Sequence, residues 1–398
     1  MDNLGIYVQV PFCSSKCSFC NFSSRVAPSS VFDTYSHALQ QEIAQLPASY
    51  EEAGIELCNS SAGLLTFSVD TVYFGGGTPS LLGAERLRQI VAVLSRGRFR
   101  FEHVLEFTLE IAPGSAGHDF LGAARSLGIN RLSIGAQSFD DRELSCVGRL
   151  HSGSDTGRLF DMARGAGFTN ISLDLIAGLP YQTEASWHSS LAEAVRLQPE
   201  HISVYLFEID EKSRLGGEVL QHGTRYHAGA VPGDNFMADA YETARAILGS
   251  EGYVQYEISN FARPCQESLH NQKYWQLQPY IGLGAEAHSF DGRRRWSNVP
   301  DPDVYRAEVS SGRSPIAEIN LLSPEEQLEE FFFLGLRQQK GIDLRWANCR
   351  WGSIPVSRWE STISMLAQEG WIERQNERVR LSERAYLVSN EIFQHFLS

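Results

Sequence analysis

The sequence predicts an α/β protein: an incomplete (β/α)6 barrel, then an α+β extension, then a small winged-helix-like domain. Three observations carry this. In the first half, short apolar, β-branched runs alternate with amphipathic stretches, the pattern of βα units on a parallel sheet. Polar and glycine signals cluster at the C-terminal ends of those runs, the edge at which parallel α/β folds bind ligands. After about residue 207 the alternation weakens, and from about residue 323 a helical pattern returns with a short hairpin.

The strands are expected at Gly5–Val10, Thr71–Phe74, Leu105–Glu110, Arg131–Gly135, Asn170–Leu175 and His201–Leu206. Helices are expected between them at Val31–Leu46, Ala84–Leu94, Gly117–Leu127, Thr156–Ala166 and Glu184–Leu197. Six strands within about 200 residues are too few for a closed eight-fold barrel. The continuous apolar run Ile171–Ile176 reads as a strand covered on both faces. Gly54–Ser68 reads as a loop inserted before the second strand. Further on, Asn235–Glu251 reads as a helix and Val254–Ile258 as a strand. Ser323-Pro324-Glu325-Glu326 is a helix start, with Ser323 as N-cap and Pro324 in the first turn. Helices over Ser357–Glu369 and Glu383–Phe396 and a hairpin of Trp371–Arg374 with Arg378–Leu381 complete the C-terminal part. The expected domains are residues 1–210, 211–320 and 321–398.

The 398 residues are 42% hydrophobic, enough to bury a sizeable core, and carry a net charge of −14. Such a field repels phosphate backbones, so nucleic acid is not the expected partner. No run of about 18 apolar residues and no basic leader is visible, so a cytoplasmic protein without a transmembrane segment is expected. Seven cysteines, three of them between Cys13 and Cys20, do not form a disulfide framework. They fit a reducing compartment and one metal site.

The three cysteines read Cys13-Ser-Ser-Lys-Cys17-Ser-Phe-Cys20, directly after a strand. Soft thiolates select iron–sulfur clusters, zinc or copper. A structural zinc site prefers four closed ligands, usually from paired C-x2-C units, and no second pair exists here. Three thiolates on a four-iron cubane leave one iron open to an exogenous ligand.

This C-x3-C-x2-C spacing, with Phe19 before the third cysteine, resembles the radical S-adenosylmethionine (SAM) superfamily. Further motifs extend the resemblance: Tyr7-Val-Gln-Val-Pro-Phe-Cys13, Tyr73-Phe-Gly-Gly-Gly-Thr-Pro-Ser80, Leu132-Ser-Ile-Gly-Ala-Gln-Ser138, Leu173-Asp-Leu-Ile-Ala-Gly-Leu-Pro180, His270-Asn-Gln-Lys-Tyr-Trp275 and Gly282-Leu-Gly-Ala-Glu-Ala-His-Ser289. Together they resemble the coproporphyrinogen III oxidase-like branch, and within it the HemW-type heme chaperones. Those oxidases carry a fourth cysteine where this chain has Phe22. The branch usually has histidine where this chain has Gln9. Both departures argue against oxidase activity and leave open whether the protein is an enzyme at all.

The resemblance implies a [4Fe–4S] cluster on Cys13, Cys17 and Cys20 and a radical SAM barrel around it. The amino and carboxylate groups of SAM would chelate the open iron, and an electron from the reduced cluster would cleave SAM to methionine and a 5′-deoxyadenosyl radical. Tyr7, Phe19, Gly76, Gly77, Thr78, Glu110, Gln137, Arg149 and Asp174 match SAM-contacting positions. The glycines let backbone approach a ligand. Glu110 can accept from the SAM amino group, Asp174 from a ribose hydroxyl or an amine, and Arg149 can pair with a carboxylate. His270 is the candidate heme-iron ligand, with Tyr274 and Trp275 as aromatic neighbours; His288 is a lesser candidate, and Cys265 reads as a structural thiol. The implied partners are heme, a heme-accepting protein of cytochrome or respiratory oxidase type, and an electron donor such as a flavodoxin or ferredoxin. The rival readings are an oxygen-independent coproporphyrinogen III oxidase and another radical SAM enzyme.

Overall fold

The structure, a computed structural model, describes residues 3–52, 55, 67–96, 99–352 and 356–397. Its first seven strands are β1 (Leu4–Val10), β2 (Phe67–Gly76), β3 (Phe99–Arg100), β4 (Glu106–Ile111), β5 (Arg131–Gln137), β6 (Ile171–Ala177) and β7 (His201–Leu206). All the long ones run parallel in the order β1-β2-β4-β5-β6-β7, and the short β3 pairs with the start of β2. β8 (Val254–Gln255) and β9 (Asn260–Ala262) extend the β7 edge antiparallel. On the other edge β10 (Tyr280–Leu283) joins β1 in parallel, followed by antiparallel β11 (His288–Phe290), β12 (Arg294–Asn298) and β13 (Ile316–Leu321). The sheet is curved but open, an incomplete barrel as the sequence predicts.

The strand register explains what the barrel is for. One row of partners reads Tyr7–Tyr73–Thr108–Arg131, the next Glu110–Ser133–Ser172–His201. These residues all face the barrel interior. The intervening rows, Val8–Phe74–Leu109–Leu132 and Ile111–Ile134–Leu173–Ile202, face the helices and are fully buried there. Side chains alternate across a strand, so one face makes the core and the other a polar chamber. This corrects the reading of Ile171–Ile176 as uniformly apolar: Ser172 and Asp174 point inward.

The expected helices form, with shifts of a few residues: Ser29–Glu52, Gly83–Arg96, His118–Ser126, Gly153–Gly165, Glu184–Arg196 and Asp234–Ser250. Ser152, Thr183 and Ser323 each close a capping box, satisfying backbone donors at the helix starts. Two expectations fail locally. The strand expected at Val254–Ile258 stops at Gln255, because the Glu257 carboxylate accepts from Ser259 N and Asn260 Nδ2 and turns the chain into β9. The helix expected over Glu383–Phe396 is a 3-10 turn, Glu383–Val388, followed by a short helix, Ser389–Gln394, with the β-branched Val388 out of helical geometry at the junction. The expected inserted loop at 54–68 falls almost wholly outside the described residues.

The C-terminal part has its own apolar core, in which Phe332 stacks on Phe396 at 4.6 Å beside Trp359. Helices Pro324–Gly335, Leu344–Trp351 and Glu360–Gln368 pack with a small sheet of β14 (Ile342–Asp343), β15 (Ile372–Gln375) and β16 (Arg378–Leu381), ordered β14-β16-β15.

The N-terminal mouth of the barrel is closed by a helix, Leu269–Trp275. Its start is held by Glu106 at the head of β4, which accepts from Ser268 Oγ at 3.2 Å, Leu269 N at 2.8 Å and His270 N at 3.0 Å. The same carboxylate lies 3.9 Å from the Arg131 guanidinium, both side chains being almost fully buried. At the far end Lys273 Nζ bonds the Asp70 carboxylate at 2.8 Å and the Asn3 carbonyl at 2.8 Å. Removing one member of a buried ion pair leaves the other charge uncompensated. Glu106→Ala is therefore expected to cost about 3–5 kcal/mol in a urea titration. An unchanged midpoint would show that apolar contacts alone hold the closing helix.

Candidate functional site

At the opposite mouth, above the C-terminal ends of the strands, lies a cleft of about 860 Å³. Cys13, Cys17, Phe19, Cys20, Gly76, Gly77, Thr78, Glu110, Gln137, Arg149 and Asp174 all line it. Of the expected cluster and SAM positions only Tyr7 does not; it sits lower, inside the barrel.

The cysteine loop is fastened by backbone bonds. Cys13 N donates to Arg25 O at 3.0 Å, Ser18 N to Val147 O at 3.0 Å and Cys20 N to Cys17 O at 3.3 Å. The glycine loop is locked against it: Gly77 N donates to Val10 O at 2.8 Å and Thr78 N to Phe12 O at 2.7 Å. A Cβ on Gly77 would lie 2.4 Å from the Phe12 carbonyl oxygen, so the approach requires glycine. Gly76 has φ +105°, and a Cβ there would meet the Gln9 side chain at 2.3 Å. Gln9 itself is buried and accepts from Tyr7 Oη at 2.7 Å.

The donor set fits an anionic cluster. Arg149 Nη1 stands 3.8 Å from Cys17 Sγ, while its other amine donates to the Gly135 carbonyl. That contact puts fixed positive charge beside the cysteine loop, where an anionic group would be held. Burial pushes the Cys20 thiol up, with Lys16 opposing. Among the described residues no three His, Cys, Asp or Glu side chains converge on one point as a single ion needs; a cubane gives each thiolate its own iron and needs no such convergence.

Two carboxylates face the cleft. Glu110 accepts from Tyr73 Oη at 2.8 Å and from Gly76 N at 3.1 Å, and burial pushes its pKa up to about 7 despite those bonds. Asp174 accepts from Ser133 Oγ at 3.0 Å, and burial raises it as well. Gln137 has φ +68° where β5 bulges away from β6, a conformation unusual for a residue with a Cβ.

His151 also lines the cleft and was not anticipated. Its Nε2 lies 3.2 Å from Ala136 O, and burial, then Arg149, depress its pKa to about 4. Its place two residues after Arg149 was the available signal. Tyr205, Tyr241, Arg337 and Asn390, from β7, the extension and the C-terminal part, close the far wall; no local pattern marks them.

The expected heme group lies elsewhere. His270 is fully buried in the helix that closes the opposite mouth. Its Nδ1 is 3.0 Å from Thr71 Oγ1 and its Nε2 2.9 Å from Tyr274 Oη, so both ring nitrogens are engaged. Trp275 lies under the Arg337 guanidinium at 4.6 Å. In this structure His270 thus differs from the open iron ligand expected: its side chain is fully buried and both ring nitrogens are bonded. His288 is exposed on β11, outside the cleft.

An open six-stranded α/β barrel with three cysteines and a glycine loop at its C-terminal mouth defines a radical SAM protein. The sequence matches the radical SAM superfamily over residues 7–194 and the HemN C-terminal domain over residues 322–388. It is 33% identical over 391 residues to the heme chaperone HemW of Bacillus subtilis, covering 98% of each chain. It is 30% identical to that of Mycobacterium tuberculosis over 99% of this chain and 94% of the other, and 32% identical to the mitochondrial radical S-adenosyl methionine domain-containing protein 1 of Bos taurus over 85% and 74%. Coproporphyrinogen III oxidase (HemN) of Escherichia coli shares the fold with a TM-score of 0.83 at 23% identity, over 99% of this chain and 90% of that one. The chain belongs to the HemW family of radical SAM proteins.

Two pH effects follow. Burial, then Lys273, holds His270 at about 3, well below its unfolded value of roughly 6.5. The unfolded chain therefore binds the extra proton, and stability falls as pH drops through that window. His270→Asn is expected to flatten the slope of unfolding free energy between pH 6.5 and 4 by up to about one proton; an equally steep slope would mean His270 is already protonated in the fold. Glu110 is raised, so it becomes a full acceptor only above about 7. SAM titrated calorimetrically into the cluster-reconstituted protein is expected to bind more tightly as pH rises through 7, with Glu110→Gln losing most of that dependence. Equal dependence in the variant would remove Glu110 from the contact.

Proposed function

We propose that the protein is a heme chaperone that holds a [4Fe–4S] cluster on Cys13, Cys17 and Cys20, binds SAM in the cleft above it, and passes heme to an acceptor. The observation that carries this reading is the likeness, over 98% of the chain, to a protein named as a heme chaperone. Phe22, 62% exposed where the oxidases have a fourth cysteine, supports it over an oxidase.

When bound, the cluster supplies an electron and an iron with an open position. The chain's own residues do the rest. Arg149 places positive charge beside Cys17. Gly76 and Gly77 bring backbone to the ligand, Glu110 accepts from its amino group, and Asp174 from a hydroxyl. Phe19 and Thr78 pack the cofactor, and Gln137 offers its amide. An electron donor of flavodoxin or ferredoxin type would serve the cluster, and the acceptor would be a cytochrome or a respiratory oxidase. No described helix is long and apolar enough to cross a membrane, in keeping with a cytoplasmic carrier. The division at 1–210, 211–320 and 321–398 then gives the barrel, the segment that closes its floor, and a C-terminal unit that walls the cleft.

For heme, the cleft mouth is the better place than His270. Leu150, Phe22 and Leu387 line it and are 75%, 62% and 37% exposed, apolar side chains that a hydrophobic ligand entering the cleft would cover. Hemin titrated into the anaerobically reconstituted protein, followed at the Soret band, is expected to saturate near one equivalent. Phe22→Glu with Leu150→Glu is expected to weaken it about tenfold or more, a charge replacing an apolar contact at each position. Unsaturable binding, equal in both proteins, would remove the chaperone reading; anaerobic SAM-dependent decarboxylation of coproporphyrinogen III would replace it with the oxidase.

A further inference from the structure

The closing helix reaches into the barrel as well as sealing it. The His270 ring lies 5.3 Å from the Tyr73 ring and 6.3 Å from the Tyr7 ring, with Tyr7 stacked on Tyr73 at 5.9 Å. Tyr274 stands edge-on to His270 at 5.4 Å and to Tyr280 at 4.8 Å. These five rings thus form one cage between the floor and the cleft. The cage is anchored below by Thr71, whose hydroxyl meets His270 Nδ1. Above, it ends in two hydroxyls. Tyr73 Oη donates to Glu110 Oε1, and Tyr7 Oη donates to Gln9, which packs against Gly76. Gly76 N in turn donates to Glu110 Oε2. Both carboxylate oxygens of Glu110 are therefore oriented by parts that His270 supports.

We propose that His270 is a positioning residue for the cofactor cleft: it wedges the aromatic cage so that Tyr73 delivers its hydroxyl to Glu110, and it is not a ligand of heme iron. The physical basis is shape and saturation. An imidazole with both nitrogens bonded has one orientation, and a close-packed interior transmits that orientation to the rings it touches. Tyr73 Oη, once fixed, makes a bond to a carboxylate, the stronger kind. Histidine suits the position because it fills an aromatic volume while bonding a hydroxyl at each end. The inference rests on the SAM reading of the cleft.

The groups facing Glu110 are Tyr7, Tyr73, Tyr205 and Tyr274 and the carboxylate of Asp174. The tyrosines stay neutral across the working range, so the bond from Tyr73 is the main contact that a cage variant alters. Losing that bond favours the protonated acid, and the pH at which SAM binding is half-developed moves up. The test is SAM affinity of the reconstituted protein against pH for wild type, Tyr73→Phe, His270→Ala and His270→Asn, with hemin spectra of each.

Tyr73→Phe is expected to raise the midpoint by about one pH unit. His270→Ala should move it the same way by less, and His270→Asn, which keeps the partner for Thr71, should recover part of the shift. The Soret position of bound hemin should be the same in all four. If His270→Ala does not fold, Tyr274→Phe removes only the hydroxyl that holds Nε2 and should show the same upward direction. A wild-type midpoint in the folded histidine variants, or a Soret change confined to them, overturns the inference. Failure of the wild type itself to bind SAM would instead remove the reading on which it rests.

Discussion

The structure depends on a constraint of strand geometry. Six parallel strands turn alternate side chains inward, and almost every inward residue is polar or aromatic: Thr71 and Tyr73, Glu106 and Glu110, Arg131 and Ser133, Ser172 and Asp174, His201 and Ser203. Burying such groups is costly unless each finds a partner. In a closed eight-stranded barrel apolar layers would fill the centre. Here the chamber stays polar, and the partners come from one another and from the helix that closes the floor. Ser172 and His201 pair at 2.8 Å, and His201 Nε2 meets Tyr256 Oη at 2.9 Å.

That arrangement separates two ends with different electrostatics. At the floor, charges are compensated: Arg131 has Glu106, and Lys273 has Asp70. At the cleft they are left partly uncompensated. Glu110 and Asp174 are both raised by burial; Glu110 has only neutral donors against it, and Asp174 has serine hydroxyls with Arg131 opposing the shift more weakly. Buried carboxylates shifted in this way mark a ligand site more often than a structural one. The exception is Arg149, whose charge is spent on a thiol and a carbonyl.

The cysteine and glycine loops share one piece of architecture. β1 and β2 are neighbours in register through Val10–Gly76. The loops that leave them must cross at the same place, and they do so by backbone bonds at the Phe12 carbonyl, where no side chain on residue 77 would fit. The cysteine loop and the glycine loop are thereby fixed to one another.

How far the sequence carried this can be followed residue by residue. Strand-helix alternation, the C-x3-C-x2-C spacing and the glycine run are local signals, and each is enough to locate an element at the cleft. Period-two alternation in β4 to β7 was present too, but β-branched runs such as Ile171–Ile176 masked it, because apolar content does not say which face the intervening serine and aspartate take. What the sequence by itself determined was the class of fold, the cluster ligand set to be tested and eight of the cleft residues around it. The tertiary structure alone decided which end of the barrel the motif after β9 occupies. His270, Tyr274 and Trp275 form a compact motif in the chain, yet the connection after β9 carries them to the floor, where Glu106 caps their helix and Thr71 takes the imidazole. Residues distant in sequence, such as Tyr205, Arg337 and Asn390, complete the cleft because packing brings them there; contacts of that range leave no trace in local periodicity.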